Sequence, residues 1–283
     1  MINQDTKFLI VGLGLIGGSY AMGLKQKGYH VNAIEINQLS IDYAIENHII
    51  DDGSTFNIDF IKEADIIISG LYPNTMIDWI TCYQQYFKPH ALISDVSGVK
   101  CNIVEKIQAI LRKDVSFIAS HPMAGKEVSG VKYADHKIFE QANFIITPTA
   151  LNNEAEIEVL KQFATILNFK NISVLSCEEH DQMIAFVSQL THAIAVSLMN
   201  SSDDPNLVKY TGDSFRDLTR IANINENLWS ELFFLNKDYL LVEINRFIDS
   251  LSKLKSTLVH NDKDKLKELF VTSTIRRKRF DKK

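Results

Sequence analysis

Apolar positions in the first half of the chain form short continuous runs separated by amphipathic stretches. The continuous runs predict strands at Lys7–Val11, His30–Ile34, Asp65–Ser69, Ala91–Ser94, Val115–Ala119 and Asn143–Thr147. The amphipathic stretches predict helices at Leu15–Lys27, Gln38–Asn47, Thr75–Tyr86 and Val99–Leu111. Wholly apolar strands that alternate with helices indicate a parallel sheet covered on both faces.

The pattern changes after residue 176, beyond a helix near Glu154–Leu167 and a strand near Ile172–Leu175. Three later segments carry apolar residues at helical spacing: Glu178–Met199, Glu226–Leu258 and Lys263–Arg279. We therefore predict an α/β fold, with a doubly wound, mostly parallel domain over residues 1–176 and an all-α domain over 177–283. The second of these helices is too long to bury its apolar stripe against a small domain, which favours a homodimer.

Composition and charge argue against several classes of function. Hydrophobic residues make up 46% of the chain and charged residues 23%, which is typical of a globular protein. The net charge of −5 argues against a nucleic-acid partner. The basic cluster Arg276–Arg279 ends a predicted helix, where the helix dipole favours cations, and is interpreted as a solvated face.

Targeting and metal signals are also missing from the sequence. The three cysteines are far apart and show no metal-binding spacing, which fits a reducing compartment. The amino-terminal residues lead directly into the first predicted strand, without the pattern of a signal peptide. We see no run of about 18 apolar residues that could span a bilayer. These observations predict a cytoplasmic protein with no membrane partner and no metal.

A glycine-rich turn follows the first predicted strand. Gly12, Gly14 and Gly17 form a GxGxxG pattern, in which Leu15 and Ile16 begin the next helix. In a Rossmann domain the first glycine allows the tight turn, the second admits a pyrophosphate, and the third lets helix and strand pack closely. The amino terminus of the helix adds partial positive charge. The turn therefore predicts a dinucleotide site on a Rossmann domain.

Glu35 indicates which dinucleotide binds. It lies 18 positions after Gly17 (35 − 17), at the end of the second strand, where a carboxylate accepts hydrogen bonds from ribose hydroxyls. Ile36 and Asn37 follow it, so a 2′-phosphate would meet a carboxylate without a compensating cation. This favours NAD over NADP. Pro73, in the loop after the third predicted strand, is a candidate contact for the nicotinamide half of the cofactor.

Motifs farther along the chain are more specific than the glycine turn. Ser94–Lys100 is SDVSGVK, Ser120–Gly130 is SHPMAGKEVSG, Ser188–Ala193 is SQLTHA, and Phe215–Ala222 is FRDLTRIA. Together with the glycine turn they resemble the prephenate dehydrogenase family of tyrosine biosynthesis, over nearly the whole chain. The resemblance implies a Rossmann domain followed by a helical dimerisation domain, in a form without the carboxy-terminal regulatory domain that some relatives carry.

The resemblance also implies a reaction, the NAD-dependent oxidative decarboxylation of prephenate to 4-hydroxyphenylpyruvate. It assigns the catalytic histidine to His121, the substrate-binding arginine to Arg220 and a second active-site histidine to His192. A histidine suits proton acceptance near neutral pH, and a guanidinium suits a carboxylate. Each residue also has a structural interpretation: His121 as a loop residue before proline, His192 as a core residue, and Arg220 as a helical partner of Asp217.

The chain departs from the family pattern around the substrate. The family commonly has DxGSxK where Asp95–Lys100 is DVSGVK, so the usual serine falls on Gly98. Ser97 is therefore a candidate catalytic hydroxyl displaced by one position. Lys126 stands where threonine or serine is common, and it could add a cation for an anionic substrate. The departures leave the cofactor residues intact and concern the identity of the substrate.

Three alternatives remain open from the sequence. Arogenate or an amino-deoxy analogue of prephenate would undergo the same chemistry. A β-hydroxyacid dehydrogenase would share the architecture, but its catalytic lysine motif is not evident in the helical segments. A non-catalytic NAD-binding sensor would be consistent with the shifted serine. Outside the motifs, Trp229 is interpreted as a core or interface aromatic residue, and His180 and His260 as surface residues.

Overall fold

The computed structural model describes residues 1–280. Its first six strands are β1 (Lys7–Val11), β2 (His30–Ile34), β3 (Asp52–Ser54), β4 (Ile66–Ser69), β5 (Leu92–Asp95) and β6 (Ser116–Phe117). They form one sheet in the order β3–β2–β1–β4–β5–β6, and every neighbouring pair is parallel. This is the strand order of a Rossmann fold, in which the order reverses between β1 and β4.

Helices cover both faces of this sheet. They are α1 (Leu15–Gln26), α2 (Gln38–Glu46), α3 (Ile58–Glu63), α4 (Pro73–Tyr83), α5 (Cys101–Ile110) and α6 (Glu154–Ile166). Successive residues of a strand point to opposite faces. Phe8 and Ile10 of β1 accordingly pack in one core with α1, α2 and α6, while Leu9 and Val11 pack in a second core with α3, α4 and α5.

A second sheet carries the start of the SHPMAGKEVSG motif. It consists of β7 (Ala119–Pro122), β8 (Asn143–Thr147) and β9 (Asn171–Val174), with β7 antiparallel and β9 parallel to β8. The prediction of one strand at Val115–Ala119 was wrong, because the backbone leaves the first sheet after Ile118 and enters the second. Both pieces are apolar, so the hydrophobic pattern does not reveal the change of sheet. His121 lies within β7, opposite Ile145.

The rest of the described chain is helical. Its helices are α7 (Cys177–Ile184), α8 (Leu190–Met199), α9 (Asp213–Thr219), α10 (Glu226–Leu235), α11 (Lys237–Val259) and α12 (Lys263–Arg277). A π-helical turn, Ala185–Gln189, joins α7 to α8. An α/β domain with a parallel sheet followed by a helical domain confirms the predicted fold class.

The single helix predicted over Glu226–Leu258 was wrong. The chain breaks at Asn236, which has φ −118° and ψ 24°. The Asn236 side chain is buried, and its Nδ2 donates to the Asp181 carbonyl at 3.0 Å and to Gln189 Oε1 at 2.7 Å. A tertiary hydrogen-bond network therefore sets this break, and neither glycine nor proline marks it in the sequence.

The first helices of this domain also bear on the membrane prediction. By length and hydropathy alone, one helical stretch among residues 1–280, Cys177–Met199, could cross a membrane, which corrects the sequence analysis. Its His180 and Asp181 side chains are buried, and Asp181 accepts hydrogen bonds from the amino-terminal domain. Buried polar groups bonded in this way place the first turns of this stretch in the protein interior, whereas Phe186 and Val187 farther along are exposed.

Candidate active site

The glycine turn between β1 and α1 has the shape that a dinucleotide requires. Gly12 has φ +96°, a conformation that favours glycine. A Cβ at Gly17 would overlap the carbonyl oxygen of Gly12, so only glycine permits this approach of helix to strand. A Cβ at Gly14 would have no described atom within 4 Å, so the space above the second glycine is open.

The start of α1 directs N–H groups toward that space. The helix begins at Leu15, and Gly14 in the N-cap position provides no side-chain hydrogen bond. The first N–H groups of a helix have no partners within it, so those of Leu15 and Ile16 are suited to an anion. This arrangement fits the pyrophosphate of a dinucleotide.

Glu35 joins the end of β2 to the glycine turn. Its Oε2 accepts a hydrogen bond from the Leu13 N–H at 2.8 Å, and its Oε1 accepts one from the Asn37 N–H at 3.0 Å. A carboxylate has further lone pairs, which remain for ribose hydroxyls. Ile36, next to it, is 91% exposed and offers an apolar surface rather than a cation. The geometry is therefore compatible with NAD.

The turn between β4 and α4 lies against the glycine turn. A Cβ at Gly70 would be 2.9 Å from the Gly12 carbonyl oxygen. Pro73 follows as the buried first residue of α4, where its fixed φ and missing N–H are tolerated. Pro73 thus shapes the second loop at the edge of the sheet where the dinucleotide would lie.

A buried ion pair holds the turn after β5. The Lys100 Nζ lies 2.7 Å from Asp95 Oδ2 and donates to the Ser120 carbonyl at 2.6 Å. Asp95 also accepts hydrogen bonds from the N–H groups of Ser97 and Ser120, each at 3.0 Å. A buried charge is tolerated only with such partners. The pair therefore fixes the turn to β7, the strand that carries His121.

His121 is the first member of a chain of three side chains. Its Nδ1 lies 2.9 Å from His180 Nε2, and His180 Nδ1 lies 2.7 Å from Asp181 Oδ1. Asp181 accepts two further hydrogen bonds, from the N–H groups of Lys100 and Cys101, each at 2.8 Å. The chain connects β7 to α7 and to the start of α5.

The prediction that His180 is a surface residue was wrong, since its exposed fraction is 0%. Cys177, His180, Asp181 and Ile184 form the buried face of α7. The spacing of Cys177, His180 and Ile184 is that of one helix face and could have indicated burial. His260 is exposed, as predicted.

The three groups of this chain differ in their favoured charge states. Burial, together with the charges of His180 and Lys100, lowers the pKa of His121 well below 6.5. Burial also lowers the pKa of His180, against the opposing effect of Asp181. Burial alone would raise the pKa of Asp181, but hydrogen bonds from His180 and the Cys101 N–H lower it. Two neutral imidazoles therefore lie beside an ionised carboxylate at neutral pH.

Gly98 lies beside the His121 ring. A Cβ at Gly98 would be 4.0 Å from His121 Cε1 and 3.5 Å from Leu232 Cδ1. The buried Ser97 hydroxyl accepts a hydrogen bond from the Val99 N–H at 3.5 Å, within its own turn. The catalytic role of Ser97 stays a prediction.

Arg220 and His192 lie in a second cluster. Arg220 forms an ion pair with Glu127, and its side chain is 61% exposed. The His192 ring stacks on Trp229 with centroids 3.6 Å apart. Burial lowers the pKa of His192, and the charges of Glu127 and Arg220 act on it in opposite directions. These four side chains are therefore close neighbours.

Helix α10 places the two clusters beside each other. Trp229 contacts His192, whereas Leu232 packs beside Gly98 at the His121 ring. The two α10 residues are three positions apart, which places them on one face and about 4.5 Å apart along the axis. The helix is fixed to the amino-terminal domain by hydrogen bonds, including one from the Asn74 N–H to Glu231 Oε1.

The Lys126 Nζ lies 3.4 Å from Asp135 Oδ2, and the Lys126 side chain is about half exposed. The Asp135 N–H in turn donates a hydrogen bond to Ser19 Oγ of α1 at 3.0 Å. The loop that bears Lys126 therefore lies beside the helix that begins at the glycine turn. A substrate role for Lys126 stays a prediction.

A groove of about 880 Å³ lies at the opposite edge of the sheet, where Asp65, His90 and Asp114 precede β4, β5 and β6. Ligands of open α/β sheets bind beyond the carboxyl ends of the strands, so this groove is not the expected site. Among residues 1–280, no three His, Cys, Asp or Glu side chains are grouped as a metal site requires.

The sequence of this chain is similar to those of known proteins. A family model described as prephenate dehydrogenase, nucleotide-binding domain, matches residues 20–172, and one described as prephenate dehydrogenase, dimerization domain, matches residues 176–272. The curated prephenate dehydrogenase of Bacillus subtilis (strain 168) is 30% identical, over 95% of this chain and 74% of that protein. The cyclohexadienyl dehydrogenase of Zymomonas mobilis is 28% identical, over 93% of this chain and 92% of that protein.

A solved structure gives the same result. The prephenate dehydrogenase of Aquifex aeolicus, in complex with hydroxyphenyl propionate and NAD+, has a TM-score of 0.91 and 30% identity. The match covers 99% of this chain and 100% of that one. Two domain models in the right order, a fold shared from end to end and a glycine turn suited to NAD leave one assignment: the chain belongs to the prephenate dehydrogenase family.

Proposed function

We propose that this chain oxidises prephenate with NAD, releasing carbon dioxide and forming 4-hydroxyphenylpyruvate. The observation that carries the proposal is the His121 imidazole, held by a hydrogen-bonded chain at the carboxyl edge of a dinucleotide-binding sheet. When bound, NAD supplies the acceptor for the hydride. The residues proposed to hold it are Gly12, Gly14, Leu15, Ile16, Gly17, Glu35 and Pro73.

His121 is the proposed proton acceptor. Its Nδ1 is engaged by His180, which leaves Nε2 for the ring hydroxyl of the substrate. Nε2 takes the hydroxyl proton as the carbinol carbon loses hydride, and returns it to that oxygen when loss of carbon dioxide makes the ring aromatic. The lowered pKa of His121 keeps the imidazole neutral, as a proton acceptor must be. Ser97 is proposed to offer its hydroxyl to the substrate from the adjoining turn.

Arg220, His192 and Lys126 are the proposed substrate-binding residues. The Arg220 guanidinium is exposed and pairs with Glu127, so a substrate carboxylate can replace or share that partner. Arginine binds a carboxylate through two parallel hydrogen bonds. His192, stacked on Trp229, supplies a flat wall for the substrate ring.

An aminated substrate such as arogenate is a second candidate, and Glu127 is the observation that favours it. The Glu127 carboxylate lies beside Arg220, and its side chain is 32% exposed. A carboxylate there could accept hydrogen bonds from the ammonium group of arogenate. Initial rates on prephenate and arogenate, compared as kcat/KM, separate the two candidates.

Two substitutions test the assignment of the site. We expect His121→Gln to lower kcat by about 100-fold or more, since general-base catalysis contributes 10²–10⁴. We expect Arg220→Gln to raise KM for prephenate about 10-fold or more, since a charged hydrogen bond contributes about 1.5–3 kcal/mol. The affinity for NAD, measured by fluorescence titration, should stay within a factor of two in both. Unchanged kcat in the first variant would remove His121 from the mechanism.

We also propose that the helical region forms a homodimer and begins at Cys177. The family model that matches this region is described as a dimerization domain. Ser176 caps α7 in a reciprocal arrangement with Glu179, which makes residue 176 a natural end for the preceding domain.

A further inference from the structure

We infer that His180 and Asp181 form a positioning pair that holds His121 in the tautomer whose Nε2 carries a free lone pair. The inference rests on the proposed role of His121 and adds two residues that the sequence motifs do not assign. It follows from the direction of each hydrogen bond in the chain His121–His180–Asp181.

The direction is set at Asp181. The N–H groups of Lys100 and Cys101 reach Oδ1 and Oδ2 respectively, and a backbone N–H can only donate. Both carboxylate oxygens are therefore acceptors, and the lowered pKa of Asp181 agrees with an ionised group. The remaining partner of Oδ1 is His180 Nδ1, at 2.7 Å, which must donate.

The hydrogen bond from His180 to Asp181 also fixes which nitrogen of each imidazole carries the proton. A neutral imidazole has one N–H and one lone pair, so a His180 ring that donates from Nδ1 accepts at Nε2. The group that donates to it is His121 Nδ1, at 2.9 Å. His121 Nε2 is consequently the unprotonated nitrogen. This is the nitrogen left to accept the proton of the substrate hydroxyl.

The surrounding charges agree with neutral rings. The titratable groups that act on the two histidines are Lys100 and Asp95 of the buried ion pair, together with Asp181. Lys100 opposes protonation of both rings, and burial opposes it further. The two imidazoles thus remain neutral, and the tautomer, not the charge, is what Asp181 determines.

The pair also depends on the contact between the two domains. His180 and Asp181 belong to α7, whereas the amide groups that orient Asp181 belong to the start of α5 in the Rossmann domain. Asn236, at the break before α11, donates to the Asp181 carbonyl. Correct docking of the helical domain is therefore what gives His121 its working tautomer.

Substitution of His180 tests this inference by kinetics. Glutamine can accept a hydrogen bond from His121 Nδ1–H through its amide oxygen, whereas leucine cannot. We expect His180→Leu to lower kcat about 100-fold, the lower end of a general-base contribution, and His180→Gln to lower it less than about 10-fold. KM and the affinity for NAD should stay within a factor of two. His260→Leu, which removes an exposed imidazole, serves as the control.

Nitrogen-15 NMR of histidine-labelled protein tests it without any substrate. The His121 signals are identified by their loss in His121→Gln. We expect a protonated Nδ1 and an unprotonated Nε2 in the wild type and in His180→Gln, and a protonated Nε2 in His180→Leu. If His180→Leu fails to fold, the spectra of the wild type and of His180→Gln still test the tautomer.

A protonated Nε2 in the wild type, or an unchanged kcat in folded His180→Leu, would overturn the inference. Failure of the proposed function has a different signature, because a wild type that forms no NADH from prephenate can still show the expected tautomer.

Discussion

The His121 imidazole, as the proposed proton acceptor, must be neutral to act, so we expect its pKa to set the acid limit of activity. Burial, then His180 and Lys100, lower that pKa well below 6.5. We therefore expect kcat/KM for prephenate to stay level as the pH falls through 6.5 and to decline only at lower pH. A pH–rate profile checks this, with NAD saturating at each pH. An acid limb centred at 6.5 or above would contradict the lowered pKa.

Tyr20 offers a test of buried polar groups away from the site. Its side chain is fully buried, and its hydroxyl has no hydrogen-bond partner among the described residues. Burial of an unpaired hydroxyl costs about 1–3 kcal/mol, so Tyr20→Phe should leave the free energy of unfolding unchanged or raise it. Urea denaturation measures this. A loss of more than about 1 kcal/mol would reveal a hydrogen bond that Tyr20 makes.

For single residues, the sequence suggests which side chains could belong to a site, but it does not show what surrounds them in the fold. His121 and Arg220 can be proposed as site residues from the sequence because they lie in specific motifs. The contact of His180 with His121 was missed because it depends on how α7 docks against the Rossmann domain, which the sequence of one helix does not specify. The same holds for Gly98, whose nearness to His121 follows from the turn that Asp95 and Lys100 fix.

Buried strands and amphipathic helices of ordinary length were predicted closely. The bounds of β1, β2 and β8 are those that the apolar runs predict, and most helices of the Rossmann domain end within two residues of prediction. Elements of three to seven residues, β3, α3 and α9, were missed because they are too short to show a period. The break at Asn236 was missed because tertiary hydrogen bonds set it.

The glycines of the first turn provide a matched pair of substitutions. In Gly17→Ala the new methyl group overlaps the Gly12 carbonyl, so we expect stability to fall by about 1–3 kcal/mol. In Gly14→Ala the methyl group enters open space, so the melting temperature should not change while the affinity for NAD weakens at least 10-fold. Gly212→Ala, also unobstructed, is the control for both.

Thermal unfolding and NAD titration on the same three proteins separate the two effects. The interpretation of the turn is wrong if Gly14→Ala binds NAD as well as the wild type does. It is equally wrong if Gly17→Ala and Gly212→Ala have the same melting temperature.

At the scale of the whole molecule, the candidate site depends on the docking of two domains. Helix α10 packs Leu232 against the Rossmann core and Trp229 against His192, so this one helix contacts both domains. The sequence predicts both domains and their order. It does not predict the docking, because the contacts involve residues far apart in the chain, such as Asn102 Nδ2 and the Leu235 carbonyl at 2.7 Å.

The outer helices test the proposed dimer. Helices α11 and α12 expose several large apolar side chains, among them Leu251 and Phe270 at 55% each, as helices that pack against a second copy would. We expect sedimentation to give twice the chain mass of 32.1 kDa, and Leu251→Glu to shift the protein toward monomer. Ser252→Glu adds the same charge at the next position and is the control. Equal dissociation in both variants would argue against an interface at Leu251.

The most direct test of the account is the formation of NADH when the purified chain receives NAD and prephenate. We expect steady NADH production with one carbon dioxide and one 4-hydroxyphenylpyruvate per NADH, and its near-complete loss in His121→Gln while NAD still binds. Binding of NAD without turnover of prephenate or arogenate would contradict it, and would instead favour a non-catalytic NAD-binding protein.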